Sequence, residues 1–290
     1  MFAQIFAVMA PIIAGAGVGY FWVRFRQPYP TGFVTKLVFN VGTPCLIINS
    51  LAGAQITLSA FSTMAGATLL CLMLLLAAGV LLSRLTRIDW RVIVPPVLFP
   101  NTGNMGLPLA MYAFQGSGFS LAIAVFTIMS IGQFVVGSIT SSSRPLRSML
   151  TNPTIHASLI AIVLMASGIT LPAWLANSIE LLAGMTIPIM LITLGVSLAS
   201  IRARSLSKAL GFAVGRVVLA GFIAQGVGLL LSLDDQTRNI LTIMLCMPVA
   251  VYNYLFAQKA GRSPEFVASL VLSSTLLSFI YLPIMLIWVV

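Results

Sequence analysis

Acidic side chains are nearly missing from this chain: five in 290 residues, beside one histidine and three cysteines. Enzymes draw on those residue types, and no nucleophile with a base and no metal cluster can be assembled from so few. We therefore expect no enzyme, no cofactor beyond a coupling ion and no bound metal. Cys45, Cys71 and Cys246 all fall in apolar stretches, where a thiol packs as a small hydrophobe, so they give neither a disulfide framework nor a metal-ligand spacing. Charge of either sign is only 7% of the residues. With 59% hydrophobic residues and a mean hydropathy of +1.08, that scarcity excludes an ordinary soluble domain.

What is present is apolar sequence in runs long enough to cross a bilayer, whose hydrocarbon core takes roughly 20 residues per helix. Ten runs are expected, at about 3–23, 33–52, 58–83, 91–114, 117–140, 154–171, 177–199, 207–231, 237–258 and 265–289. They are too long, and too uniformly apolar, for barrel strands, which alternate over about ten residues. The opening MFAQIFAVMAPII has no basic leader and reads as a retained first span rather than a cleaved signal. The chain is thus expected to be an all-α, multi-pass protein of the cell (inner) membrane, surrounded by its lipids.

A net charge of +10 would suit a nucleic acid, but its distribution does not. The basic residues sit after the odd-numbered spans: Arg24, Arg26 and Lys36; Arg84, Arg87 and Arg91; Arg144 and Arg147; Arg202, Arg204 and Lys208; Lys259 and Arg262. Only Arg238 falls after an even-numbered span, and Arg216 lies inside one. Positive loops stay on the inner face, so both termini are expected outside and no nucleic-acid partner is expected.

The halves repeat. Pro44 corresponds to Pro188, Pro100 to Pro248 and Gly116 to Gly261, at separations of 144, 148 and 145 residues. Two units, 1–145 and 146–290, each hold five spans; five is odd, so the second must enter the membrane inverted, as in many secondary transporters. Spans four and nine both carry a central proline, in FPNTGN and CMPVAVYN. Backbone freed at membrane depth persists only where protein or a water-filled cavity satisfies it. Pro100, Asn101, Thr102 and Asn104 lead into a half-helix whose N-terminus favours an anion. The other reading makes the prolines simple kinks and the asparagines helix-to-helix glue.

Arg216 is about nine residues into span eight, or roughly 13 Å, and an intramembrane charge invites a functional reading: an anionic solute, a carbonyl cluster or snorkelling. Pro248, Tyr252 and Asn253 follow the second break and are expected to approach Asn101, with Tyr254 an equal alternative for the inward position. Thr127, Ser130 and Gln133 on span five, with Ser274 and Ser278 on span ten, offer oxygens to a cation such as sodium, or satisfy local carbonyls. His156 follows Asn152 and Pro153, which suit a helix cap and first turn, and is expected to be interfacial.

Four segments together resemble the auxin efflux carrier family, in the wider group of bile-acid and auxin carriers: PNTGNMGLPL at 100–109, TNPTIHASLIA at 151–161, IPIMLITLGVSLA at 187–199 and MPVAVYNYLFAQKAG at 247–261. The resemblance covers essentially the whole chain and is to bacterial members. It implies a fold like that of the sodium/bile-acid symporters, with crossed broken helices four and nine. It also implies a scaffold of spans one, two, six and seven (about 3–52 and 154–199), a moving domain of the rest (about 58–140 and 207–289), and a homodimer formed through the scaffold. The implied activity is elevator-type transport of a small carboxylate, with Asn101 at the substrate position. Two departures stand out: Val249 and Ala250 follow the second proline, and span three lacks the acid that plant members carry. Coupling to H+, to Na+ as in a bile-acid-type symporter, or to neither stays open, as does a channel, which would need a continuous pore.

Overall fold

The computed structural model describes residues 2–52, 57–114, 116–141, 151–200 and 206–288, and among these every regular element is a helix. Arg144, Arg147, Arg202 and Arg204 lie outside the described residues. In chain order the helices are α1 (Phe2–Arg24), α2 (Thr31–Leu37), α3 (Thr43–Ala52), α4 (Leu58–Thr86), α5 (Trp90–Leu98), α6 (Leu107–Ala113), α7 (Ser117–Ser141) and α8 (Pro153–Ser167). They continue with α9 (Ala173–Gly184), α10 (Thr186–Ser200), α11 (Leu206–Leu230), α12 (Asp235–Leu245), α13 (Val251–Ala260) and α14 (Pro264–Ile287).

Among the described residues seven stretches are long and apolar enough to cross a membrane: Ile5–Arg24, Thr31–Leu51, Leu58–Thr86, Ser117–Gly137, Ala173–Ser200, Ala209–Leu230 and Pro264–Ile287. The expected sixth span is the shorter α8, and the expected fourth and ninth are each two short helices either side of irregular backbone. Large apolar side chains cover the outside, with Leu181 77% and Trp288 83% exposed. That surface is stable only in a solvent as apolar as itself, so the protein is an integral, multi-pass membrane protein.

Helix ends follow local chemistry. Asn152 caps α8 by accepting from Thr154 N at 2.9 Å, with Pro153 in the first turn, as the sequence suggested. Asp89 caps α5 and Asp234 caps α12 in the same way, through Arg91 N and Thr237 N. Buried hydroxyls such as Thr68 and Thr275 donate to the carbonyl one turn back, which is how they survive among apolar neighbours.

Pro44 and Pro188 do not break their spans, yet both distort them. Each lacks the N–H that the carbonyl four residues earlier would accept. A π-helical turn at Val38–Gly42 precedes Pro44, and the chain is interrupted at Met185 ahead of Pro188. The two distortions face each other: a Cβ on Gly42 would lie 2.6 Å from Thr186 Oγ1. Nearby, Gly19 sits against the Ile192 carbonyl and Gly195 against that of Ala16, with no room for any side chain. Small residues thus let α1 and α10 approach backbone to backbone, the contact available where lipid supplies no hydrophobic drive.

Packing falls into two sets. α1 lies along α10, and α3 lies against α8 and α9. α4 packs on α5, α7 and α11, while α11 packs on α12 and α14, and α7 on α12 and α13. The turn before α6 touches α10 of the first set and α7 of the second.

Candidate functional site

The two interrupted helices meet. A residue before proline is pushed out of the helical region, and Phe99 is accordingly extended at φ −107°, ψ 97°. Pro100 then pairs with Val249 in an isolated antiparallel bridge. Asn101 N donates to Pro248 O at 2.6 Å and Ala250 N to Phe99 O at 3.1 Å. Each break therefore satisfies part of the backbone that the other frees.

Beyond that bridge the two differ. After the first, Met105 N and Gly106 N both donate to Asn101 O, at 3.3 and 3.0 Å, forming a wide π-helical turn over Thr102–Gly106 that leads into α6. Asn101 is only 4% exposed, and its side-chain Nδ2 has no hydrogen-bond acceptor. Gly103 has close neighbours at Phe126 and Met190, so this turn is pressed between α7 and α10.

Around the second break, side chains from other helices do the satisfying. Arg216 Nη1 donates to Met247 O, and the Tyr281 hydroxyl donates to Cys246 O at 2.6 Å. These are the orphan carbonyls at the C-terminal end of α12, where a cation also suits the helix dipole. Val249 N donates to Ser274 Oγ at 3.0 Å, while Ser274 Oγ donates to Val271 O at 3.1 Å. Asn253 Nδ2 reaches back to Phe99 O at 3.1 Å, tying α13 to the first break.

A cavity of about 140 Å³ lies beside this junction, between the turn before α6, α13, α2 and α10. Asn104, Tyr252 and Tyr254 line it from the junction, and Thr31, Thr35, Phe39, Thr193 and Ser197 from the other side. Tyr252 packs edge-on against Phe39, ring centres 4.6 Å apart. Thr193 Oγ1 donates to Ile189 O and accepts from the Tyr29 hydroxyl at 2.7 Å, which fixes the loop between α1 and α2 beside the cavity. Partial burial pushes that phenol up from its ordinary range.

The structure thus separates the residues that the sequence grouped. Pro100, Pro248, Asn101, Thr102 and Asn253 are buried at the junction, and Asn104 and Tyr252 face the cavity together. Arg216, 2% exposed, lines a different cavity, between α4 and α11. Of the oxygens considered for a cation, Thr127 on α7 is 1% exposed with an unpartnered hydroxyl, Ser130 is buried beside it, and Gln133 Nε2 is unpartnered. On α14, Ser274 is engaged with Val249, and Ser278 donates to Thr275 O at 2.6 Å beside Met105 Sδ. Among the described residues no His, Cys, Asp or Glu group could hold a metal ion.

The sequence reading missed the hydroxyls of Thr31, Thr35, Thr193 and Ser197, and Tyr281. Hydroxyls recur all along these helices and carry no signal by themselves. Tyr281 had one: it falls three residues after Ser278, one turn along the same helix face.

A sequence profile of the family described as membrane transport protein matches residues 138–286, just over half of the chain, and the chain belongs to that family. An uncharacterized transporter of Methanothermobacter thermautotrophicus is 25% identical over 266 residues, covering 87% of this chain and 86% of its own. An uncharacterized transporter of Methanocaldococcus jannaschii is 25% identical over 199 residues, covering 62% of each chain.

Proposed function

We propose that this membrane transport protein is a secondary carrier of a small organic carboxylate, bound where the two interrupted helices meet. The observation that carries the reading is the cavity at that junction, with Asn104 and Tyr252 on its wall and the unpartnered Asn101 amide buried beside it. Among the described residues no lysine or arginine lines this cavity. The anion is recognised by amide and hydroxyl donors and by the positive end of the half-helix.

The packing supports a reading of alternating access. The cavity lies between α2 and α10 on one side, α10 being of the first set, and α13 of the second set on the other, so one set sliding against the other would move the junction across the membrane. This is the elevator arrangement, with the spans as two inverted repeats and the interrupted helices crossing. The glycine-mediated, backbone-to-backbone contact of α1 with α10 supports a closely packed scaffold.

Sodium coupling is favoured by one observation, the buried and unpartnered Thr127 hydroxyl on α7. Proteoliposomes would decide these points. A panel of mono- and dicarboxylates is first screened for stabilisation of the purified protein, since a ligand of the folded state raises its apparent stability. The best hit should then show saturable counterflow, and replacing Na+ by choline should reduce it. Flux that grows linearly with solute and shows no counterflow would make the protein a channel.

Labelling in intact cells tests orientation. In a background without the three native cysteines, cysteines at Thr170 and Ser232 should be labelled from outside, and cysteines at Gln27 and Ser263 should not. The reverse pattern would invert the topology.

A further inference from the structure

A cavity of about 370 Å³ lies between α4 and α11 and shares no lining residue with the junction cavity. Its walls are Leu81, Leu82 and Leu85 of α4, Val97 of α5, and Phe212 and Leu219 of α11. Amid this apolar lining stands one charged side chain, Arg216. Its Nη1 is taken by Met247 O, but Nε and Nη2 have no acceptor at all. Those two nitrogens are not an arbitrary pair. Their N–H bonds run parallel along one edge of the guanidinium, the geometry that matches the two oxygens of a carboxylate.

We propose that this groove binds a long-chain fatty carboxylate, its head on Nε and Nη2 of Arg216 and its chain along the α4 and α11 side chains. Depth selects that occupant. Arg216 is ten residues into α11, about 15 Å from its start. A phospholipid phosphate is held at the interface by its own headgroup, whereas a fatty acid crosses the apolar groove as the neutral acid and releases its proton to water as the carboxylate pairs with the arginine. An unpaired buried guanidinium is costly, so a partner for its free edge is stabilising on both sides. Nε and Nη2 are covered in the unliganded chain. The head reaches them by displacing the flexible leucine ends of α4, with Nη1 keeping its carbonyl.

Glycine supplies a test that leaves the arginine alone. Gly211 and Gly215 also line the groove, and a Cβ on either meets nothing within 4 Å. Gly215→Leu therefore fills the space without a backbone clash, and it suits a helix better than glycine does. Full-length protein in phosphatidylcholine nanodiscs is titrated with radiolabelled palmitate. We expect one saturable site per chain, weakened at least tenfold by Gly215→Leu at an unchanged melting temperature, and likewise by Arg216→Lys, which keeps the charge but loses the parallel pair. Methyl palmitate, which lacks the anion, should compete at least tenfold less well. Lysophosphatidate should not displace palmitate at equal concentration; displacement would assign the groove to a phosphate headgroup and overturn the proposal. So would equal competition by the ester, or unchanged binding in Gly215→Leu, whatever the outcome with Arg216→Lys. None of these readouts depends on the transported solute.

Discussion

The two interruptions are built from the same device, a proline after a short helix, and finished differently. At the second, helices outside the break close it: Arg216, Tyr281 and Ser274 each take up a backbone group. At the first, the backbone closes on its partner and on itself, and the side chains around it keep spare hydrogen-bonding capacity: Asn101 Nδ2 is unpartnered and Asn104 faces a cavity. A buried polar group without a partner costs roughly 1 to 3 kcal/mol. Such a cost is tolerated where a ligand makes up the deficit. The second interruption has spare capacity too, on Asn253 Oδ1 and on Arg216 Nε and Nη2, but Arg216 belongs to the groove between α4 and α11. At the junction cavity the second interruption therefore reads mainly as a mechanical pin, and the first as the place where chemistry is available to the solute.

Breaking the first interruption should affect binding and not the fold. Asn101→Ala removes a donor to a charged ligand, worth about 1.5 to 3 kcal/mol, so the dissociation constant for the transported carboxylate should rise roughly 10- to 100-fold. Melting temperature should hold, because Nδ2 supports nothing else in the chain. Asn40→Ala, at an exposed position on the turn before α3, is the control and should bind normally. If Asn101→Ala melts far lower and binds as before, the asparagine is structural.

Breaking the second should do the converse. Arg216→Met leaves the Met247 carbonyl without its side-chain donor, at about 1 to 3 kcal/mol of stability, read as a lower midpoint in thermal or denaturant unfolding. Solute affinity of the protein that remains folded should change less than threefold. A large loss of affinity at unchanged stability would return Arg216 to the solute site and merge the two roles separated above.

The contrast between the interruptions was only partly legible in the sequence. Apolar runs, prolines and the spacing of the halves are local signals, and they placed the helices and both breaks. That Phe99 and Ala250 would bond across the junction was not legible, because a backbone carbonyl has no sequence signature. For the same reason Arg216 announced itself as a buried charge but not its acceptor, the carbonyl of Met247. Ser274 shows the ambiguity of a hydroxyl most plainly: the oxygen considered for a cation accepts from Val249 N. Asn104 and Tyr252 were read as candidates and line one cavity, yet the threonines opposite them come from α2 and α10, far away in sequence. Only packing brings those together.

One correspondence was in reach of the spacing argument and sharpens the comparison further. Asp89 and Asp234, 145 residues apart, cap the half-helices leading into the first and second interruption. Either aspartate replaced by alanine should cost about 1 kcal/mol, the usual value of an N-cap. The Asp234 cap should respond to acid. Hydrogen bonds from the Thr237 hydroxyl and backbone amide hold the Asp234 carboxyl below the usual carboxylate range. A group whose folded value is depressed contributes stability that is present above the unfolded value and is lost as pH falls through the folded one. The penalty of Asp234→Ala should therefore be full at neutral pH and shrink toward zero as the melting pH is lowered through the acidic range. Asp234→Asn, a cap that does not titrate, should hold its stability over the same interval. Asp89 also pairs with Arg262 across the mouth between α5 and α13, in an exposed ion pair that screening makes worth at most about 1 kcal/mol. Salt should consequently reduce the penalty of Asp89→Ala and leave that of Asp234→Ala unchanged. If salt acts equally on both, the ion pair contributes nothing and the two half-helices are anchored alike, leaving the contrast between the interruptions to the groups at the junction.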